Sequence, residues 1–239
     1  METQVAKKRL RKLREQQATK KPNIAHVEKP KVVKKIQNIQ SQDIAFVVGN
    51  GTSRLSVDPQ ELQKIGTVYG CNAQYREYEP DYLVSVDVKM VNEIVASGYH
   101  RNHQVWTNPN KGINAKSGIN YFSPHKGWSS GPTALWFAAT NGHKKIFILG
   151  FDYQGNRGKL NNVYADTFNY KKSTDAATYF GNWLNQTEKV VKEFVNTKFY
   201  RLIPEGGFVP DKLSTHRNLE HISYDQMHEL FDLTIYSKK

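Results

Sequence analysis

Continuous apolar runs of β-branched and aromatic residues alternate along the chain with segments of helical periodicity. The apolar runs predict buried strands at Ile44–Val48, 67–69, 82–86, Lys145–Leu149 and Lys198–Ile203. The periodic segments predict helices at 59–65, 88–97, 129–142, 179–197 and Tyr224–Phe231. Strands that alternate with helices are typical of a parallel sheet covered on both faces. The pattern therefore predicts an α/β fold with a Rossmann-like, doubly wound, mainly parallel sheet.

The character of the sequence changes near residues 41 and 206, which divides the chain into three parts. Residues 1–41 hold many charged and few aliphatic side chains, as expected for a basic N-terminal arm. Residues 42–205 contain the predicted strands and form the Rossmann-like domain. Residues 206–239 include one predicted helix and are expected to be a C-terminal extension that acts as a lid or an interaction segment.

The net charge of +12 is concentrated at the N-terminus. Residues 1–40 carry twelve Lys or Arg against three Glu, whereas the other 199 residues carry 22 basic and 19 acidic side chains. One interpretation is that the arm binds nucleic acid through phosphate contacts. The candidate contacts are Lys7, Lys8, Arg9, Arg11, Lys12 and Arg14. A solvated tail is the alternative, and an anionic membrane surface is a third target that would need more aromatic anchors.

The apolar runs and the cysteine content narrow the class of protein. Every apolar run is far shorter than the roughly 18 to 20 residues of a membrane helix, and the basic start lacks the apolar region of a signal peptide. We therefore expect a soluble, cytoplasmic protein without a transmembrane segment. Cys71 is the single cysteine, so an internal disulfide and a cysteine-rich zinc site are excluded. No metal site and no tightly bound cofactor are expected.

The first predicted strand ends directly in the loop Gly49-Asn50-Gly51-Thr52-Ser53. Glycines let the backbone approach a ligand closely, and hydroxyl and amide groups bind phosphates or sugars. Open α/β sheets bind ligands at the carboxyl ends of their strands, where this loop lies. A purely structural glycine turn is equally common, because the loop matches neither GxGxxG nor GxxxxGK[ST].

Two later segments also carry polar residues suited to binding a ligand, one at a helix start and one after a strand. Ser129-Ser130-Gly131-Pro132 opens a predicted alanine-rich helix, whose first amides are suited to an anion unless the serines only cap the helix. The strand at 145–149 leads into Asp152, which is suited to acid/base chemistry or to bracing a loop. Tyr153 and Tyr164 are candidates to donate to a phosphate, or else they are packing residues.

Four short motifs follow one another along the chain: GNGTS at 49–53, GCN at 70–72, SSG at 129–131, and GFDY at 150–153 with YAD at 164–166. In order and spacing they resemble the GNGPS, RCN, TSG and GIDFY…YAFD motifs of CMP-sialic-acid-dependent bacterial lipooligosaccharide sialyltransferases. Relatives of that family include nucleotide-binding proteins that resemble pterin pyrophosphokinases. The resemblance covers residues 44–203 and implies a GT-A variant of the Rossmann-like fold.

The resemblance also implies roles for individual residues. Asn50 and Asn72 would contact the nucleotide, with Gly51 and Ser53 along the loop beside it. Ser130 and Gly131 would hold the nucleotide or donor at the helix start. Tyr153 and Tyr164 would stabilise the departing phosphate, a role for which hydroxyl donors are suited.

The chain departs from the family at the general base. The family's histidine would fall in the segment 179–185, where this sequence has none. His125 is the first replacement to consider, with Asp152 also a candidate for acid/base chemistry, and His216 and His221 are further alternatives. Each histidine is otherwise an ordinary loop histidine.

Three functions are therefore open. The first is a metal-independent glycosyltransferase that uses a CMP-linked or UDP-linked sugar and a glycan acceptor, or a modified DNA base as in the DNA-glycosylating enzymes of bacterial viruses. The second is a nucleotide pyrophosphokinase, which would need ATP and Mg²⁺. The third is a non-catalytic nucleic-acid-binding or virion-associated protein on the same fold. The expected cytoplasmic location is then that of a bacterium or of an infected host cell.

Overall fold

The computed structural model describes residues 41–113 and 118–231 as one α/β unit built on a single parallel sheet. Its eight strands are β1 Ile44–Val48, β2 Thr67–Cys71, β3 Tyr82–Val84, β4 Val105–Thr107, β5 Asn120–Tyr121, β6 Lys145–Leu149, β7 Lys198–Ile203 and β8 Leu219–Ser223. The strands lie in the order β5-β4-β3-β2-β1-β6-β7-β8, and every neighbouring pair is parallel. The predicted α/β, Rossmann-like fold is confirmed at this level.

Helices connect the strands and cover both faces of the sheet. They are α1 Pro59–Gln63, α2 Val88–Ala96, α3 Ser130–Thr140, α4 Gly181–Glu193, α5 Asp211–Ser214 and α6 Tyr224–Phe231. A short 3-10 turn, Asn72–Arg76, directly follows β2, and another, Thr52–Ser56, is separated from the end of β1 by three residues. No described helix has both the length and the apolar character needed to cross a membrane.

The apolar run of β1 is buried along its whole length because both faces of the sheet are covered. Ala45 and Val47 belong to a core cluster with side chains of α3 and α4. Phe46 belongs to a second cluster on the opposite face, with side chains of α1 and α6. This continuous burial explains why the strand has no alternation of polar and apolar residues.

Three strands were not predicted from the sequence. Two of them, β4 and β5, are only three and two residues long. The third, β8, pairs with β7 from Phe199↔Leu219 to Ile203↔Ser223 and carries the polar residues Glu220 and His221. The sheet therefore continues beyond residue 205, and α6 packs against it through the buried Met227 and Leu230.

The strand order places a topological switch between β1 and β6. From β1 the chain builds β2 to β5 on one side, then crosses to β6 on the other side of β1. At such a switch point, open α/β sheets have a crevice outside the carboxyl ends of the strands. The predicted glycine loop and the predicted segment Gly150-Phe151-Asp152-Tyr153 both lie there.

Candidate functional site

An open cavity of about 530 Å³ occupies this crevice. Its floor consists of residues that follow β1, β2, β3 and β6 and of the first turn of α3. Residues of the segment 154–178 and the start of α4 form the remaining walls. Seven of the predicted site residues line the cavity: Asn50, Gly51, Asn72, Ser130, Gly131, Asp152 and Tyr153.

The glycines of the floor allow two loops to contact each other through their backbones. Gly49 donates its N–H to the carbonyl of Leu149 at 2.7 Å, and Gly51 donates to the carbonyl of Gly150 at 2.9 Å. A Cβ atom on Gly51 would lie 2.5 Å from Oδ2 of Asp152 and 2.6 Å from the carbonyl oxygen of Gly150. Gly51 is thus required by the packing of the two loops as well as by its place in the cavity wall.

Asp152 braces the same pair of loops. Its carboxylate accepts hydrogen bonds from the hydroxyl and the backbone N–H of Ser53, the latter at 3.2 Å, and from Nδ2 of Asn161 at 2.9 Å. Ser53 is buried outside the cavity lining, and its hydroxyl also accepts from Tyr224 at 3.1 Å. These donors occupy three of the roughly four lone-pair positions of the Asp152 carboxylate.

Asn161 is a site residue that the sequence does not predict. It connects the segment 154–178 to the glycine loop through hydrogen bonds. Its Oδ1 accepts from the hydroxyl of Thr52 at 2.7 Å and from the backbone N–H of Thr52 at 3.0 Å. Val163, in the same segment, donates its N–H to the carbonyl of Asn50 at 2.8 Å. An asparagine in a polar loop carries no signal that would distinguish it from its neighbours Asn156 and Asn162.

Two serines fix the orientation of the Asn72 side chain in the cavity lining. It follows β2 with a backbone φ of 56°, a left-handed conformation that asparagine adopts more readily than most residues. Its Oδ1 accepts from the hydroxyls of Ser130 at 2.8 Å and Ser85 at 3.1 Å. Ser130 in turn accepts from the N–H of Val86 at 3.1 Å, so its own proton is directed to Asn72. Both N–H bonds of the Asn72 amide remain without an acceptor among the described residues.

The start of α3 adds backbone donors to the same wall. Ser129 makes no side-chain cap, and its N–H donates to Gln186 at 3.0 Å. The N–H groups of Ser130 and Gly131 precede the first acceptor that the helix provides, and Pro132 has none. The sequence left open whether the serines only cap the helix; the structure instead uses Ser130 to join α3 to the ends of β2 and β3.

The two tyrosines expected to contact phosphate direct their hydroxyls into the protein interior. Tyr153 donates to Thr187 on α4 at 2.7 Å, and burial raises the pKa of Tyr153 to about 12 although Arg201 lies 4.9 Å from the ring. Tyr164 is 1% exposed and accepts from Nη2 of Arg54 at 2.9 Å. Burial raises the pKa of Tyr164 well above its usual value. Tyr164 does not contribute to the cavity lining.

A third tyrosine, which the sequence does not single out, lines the cavity together with Tyr153. The hydroxyl oxygen of Tyr170 accepts from Nδ2 of Asn50 at 3.3 Å and from the backbone N–H of Ala73 at 3.4 Å. Oδ1 of Asn50 accepts from Gln74 at 2.9 Å, which fixes the direction of the amide. The hydroxyl proton of Tyr170 therefore has no acceptor among the described residues, and Tyr170 is the tyrosine that presents a donor to the cavity.

Asp87 is a second cavity residue that is not among the predicted site residues. It lies between β3 and α2 and is exposed. It caps α2, because its Oδ1 accepts the N–H of Lys89 at 3.1 Å. Its Oδ2 has no partner among the described residues. Asp87 and Asp152 are the two carboxylates in the cavity lining, and Asp87 is the more exposed of the two and the less engaged in hydrogen bonds to described residues.

The histidines considered as general bases lie outside the cavity lining. His125 is exposed in the loop before α3. His216 approaches Glu188 at 3.7 Å, and His221 accepts from Arg201 at 3.4 Å. Burial and the neighbouring Arg201 lower the pKa of His221 to about 4.

Two further predictions from the sequence concern metal ligands and the basic arm. Within residues 41–113 and 118–231, no three His, Cys, Asp or Glu side chains are grouped so that they could hold a metal ion. The six basic candidates between Lys7 and Arg14 lie outside the described residues.

Comparison of the chain with protein-family models, with curated proteins and with solved structures finds no match. The interpretation of the cavity therefore rests on its own geometry.

Proposed function

We propose that this protein is a glycosyltransferase-like enzyme whose cavity binds the nucleotide of an activated sugar, linked to CMP or UDP. The observation that carries the proposal is Asn72, whose oxygen is fixed by two serines while its amide N–H bonds have no acceptor within residues 41–113 and 118–231. A donor group oriented in this way costs little further ordering when it binds a ligand oxygen.

The chemistry of the cavity wall supports an anionic ligand. The wall offers several hydrogen-bond donors: the Asn72 amide, the Tyr170 hydroxyl and the first two N–H groups of α3. Lys171 adds a positive charge without a carboxylate partner among the described residues. Helix N-termini favour negative charge because the backbone dipoles align there. The volume of about 530 Å³ falls in the range of cavities that bind ligands of nucleotide size.

In the proposed reaction an acceptor hydroxyl displaces the nucleotide phosphate at the anomeric carbon. The new bond joins the acceptor oxygen to that carbon, and the bond from the carbon to the phosphate oxygen breaks. The donors of the cavity wall stabilise the charge that the phosphate gains. In this scheme Asp87 accepts the acceptor proton, because its Oδ2 is open and exposed to the cavity.

Calorimetric titration of the full chain with CMP, UDP, GDP and ADP tests the nucleotide site. Asn72→Asp preserves the acceptor for both serines but replaces the free N–H bonds with a charged oxygen. We expect it to weaken binding about 10-fold to 100-fold, the cost of a lost hydrogen bond to a charged group. Asn102→Asp adds the same charge at an exposed position outside the cavity lining and should leave binding unchanged.

Transfer itself requires a separate assay. Release of CMP or UDP from a nucleotide sugar, dependent on Asp87, would support the enzyme. If the wild-type chain binds none of the four nucleotides, the proposal is wrong. The interior hydrogen bonds of Tyr153 and Tyr164 favour a second candidate, a nucleotide-binding protein without transferase activity. That candidate predicts nucleotide binding without release of nucleotide from any sugar donor.

A further inference from the structure

Exposed aromatic side chains cluster where α4 begins, beside the mouth of the cavity. Tyr179 is 75% exposed, Phe208 40% and Trp183 37%. Phe180 lies between them, with ring centroids 6.4 Å from Tyr179 and 6.2 Å from Phe208. Phe180 and Trp183 also line the cavity. We call these four residues the aromatic rim.

The segment 154–178, which forms part of the cavity wall, gives this region a positive charge. Residues 154–178 carry Arg157, Lys159, Lys171 and Lys172 against two aspartates. The carboxylate of Asp175 accepts the backbone N–H of Lys172 at 2.8 Å, and that of Asp166 accepts the backbone N–H of Ser173 at 2.9 Å. Neither Lys171 nor Lys172 has a carboxylate within ion-pair distance among the described residues.

Aromatic faces beside unpaired cations match the chemistry of a single-stranded nucleic acid. Successive bases stack on exposed rings, and basic side chains follow the phosphates of the backbone. A neutral saccharide also stacks on aromatic rings, but it has no anionic groups for the two lysines. The twelve basic residues between positions 1 and 40 are complementary to the same polyanion.

We propose that the aromatic rim, together with Lys171 and Lys172, binds single-stranded nucleic acid. Bases stack on Tyr179, Trp183 and Phe208, while the two lysines contact backbone phosphates. This surface shares Trp183 and Lys171 with the cavity lining and extends outward to Tyr179, Phe208 and Lys172. Its binding to an oligonucleotide is measured separately from nucleotide binding and from glycosyl transfer.

Fluorescence anisotropy of a labelled oligo(dT), of the length that one such surface covers, tests the proposal with the full chain. The double variant Tyr179→Ala/Trp183→Ala should weaken binding about 10-fold to 100-fold, since each stacked base contributes on the order of 1 to 3 kcal/mol. Both side chains are exposed, so the fold should tolerate their removal. The control Tyr121→Ala/Val195→Ala removes two exposed apolar side chains outside the cavity lining and should not change affinity.

The charge contribution has its own measurement. Lys171→Ala/Lys172→Ala should lower the slope of log affinity against log salt concentration by about 1 to 1.5, because each phosphate contact on a single strand contributes about 0.7. Trp183 is the exposed tryptophan among the described residues, so oligo(dT) should also quench its fluorescence.

Three results would overturn the proposal. Wild-type chain that does not bind oligo(dT) at low salt is the first. The second is unchanged affinity in the aromatic double variant, which would assign binding to the basic residues of the arm alone. The third is quenching of Trp183 by a neutral oligosaccharide but not by oligo(dT), which would assign the rim to a glycan.

Discussion

At the residue scale, the three tyrosines near the cavity differ in what fills their hydroxyl groups. Tyr153 donates its proton to Thr187, and Tyr164 serves as an acceptor for the buried Arg54. Tyr170 accepts two N–H bonds and retains a proton for a ligand. The sequence shows three tyrosines on one polar segment, whereas the hydrogen-bond partners decide which of them a ligand can reach.

Tyr170→Phe should weaken nucleotide binding about 3-fold to 10-fold, since a neutral hydrogen bond contributes on the order of 1 kcal/mol. The nucleoside cytidine, which lacks the phosphate, should bind both forms equally if the hydroxyl contacts the phosphate. Calorimetry with CMP and cytidine provides both values. Equal loss for the two ligands would contradict contact with the phosphate.

Tyr164→Phe is the matched variant and should act on stability. Removal of its hydroxyl leaves Nη2 of Arg54 with Glu77 as its remaining partner, in a fully buried setting. We expect the free energy of unfolding to fall by about 1 to 3 kcal/mol, the cost of a buried donor that loses an acceptor. Denaturant titration measures this change, and nucleotide affinity of the folded variant should match that of the wild-type chain. Reduced affinity with unchanged stability would reverse the roles of the two tyrosines.

At the scale of elements, the contact between the β1 and β6 loops depends on the small size of Gly51. Its φ is −63°, which any residue adopts, so Gly51→Ala acts through the Cβ atom alone. The clash with Asp152 and Gly150 should lower the free energy of unfolding by about 2 kcal/mol or more and weaken nucleotide binding. Gly127→Ala is the comparison: φ is 67° with open space around it, and a cost of about 1 to 2 kcal/mol is expected from conformation alone.

Denaturant titrations of both glycine variants, followed by calorimetry with CMP, separate the two effects. Gly127→Ala should reduce stability without a change in nucleotide affinity, because Gly127 lies outside the cavity lining. If Gly51→Ala leaves both stability and affinity intact, the two loops do not require the close backbone approach.

The elements that the sequence predicts best are those whose burial leaves a local pattern. The strands β1 and β6 are continuous apolar runs, and α3 carries Pro132 in its first turn and ends before Gly142. In contrast, the apolar residues Leu219 and Ile222 of β8 are separated by Glu220 and His221 at the edge of the sheet, so no apolar run marks the strand. Contacts such as Ser130 to Asn72 join residues 58 positions apart, and local patterns hold no information about such pairs.

At the scale of the whole molecule, Arg201 joins the loop after β6 to the segment that follows β7. It is almost fully buried on β7 and donates to the carbonyls of Phe151 at 2.8 Å and Phe208 at 3.0 Å. These bonds fix the loop after β6 and the segment that carries one ring of the aromatic rim. A buried charge that satisfies several backbone carbonyls is costly to disturb, so the cavity and the rim share one rigid support.

His221 makes the stability of this support depend on pH. Its pKa in the folded protein is about 4, against 6.5 for an ordinary histidine, because burial and Arg201 disfavour the charged form. Between these values the unfolded chain binds the extra proton, so stability should fall as pH drops from 7 to 4. His143 has a pKa lowered by burial and contributes in the same direction. Thermal unfolding at pH 7 and 5 should show a smaller loss for His221→Gln than for the wild-type chain or the exposed His125→Gln. An equal loss in all three would exclude His221 as a source of the pH dependence.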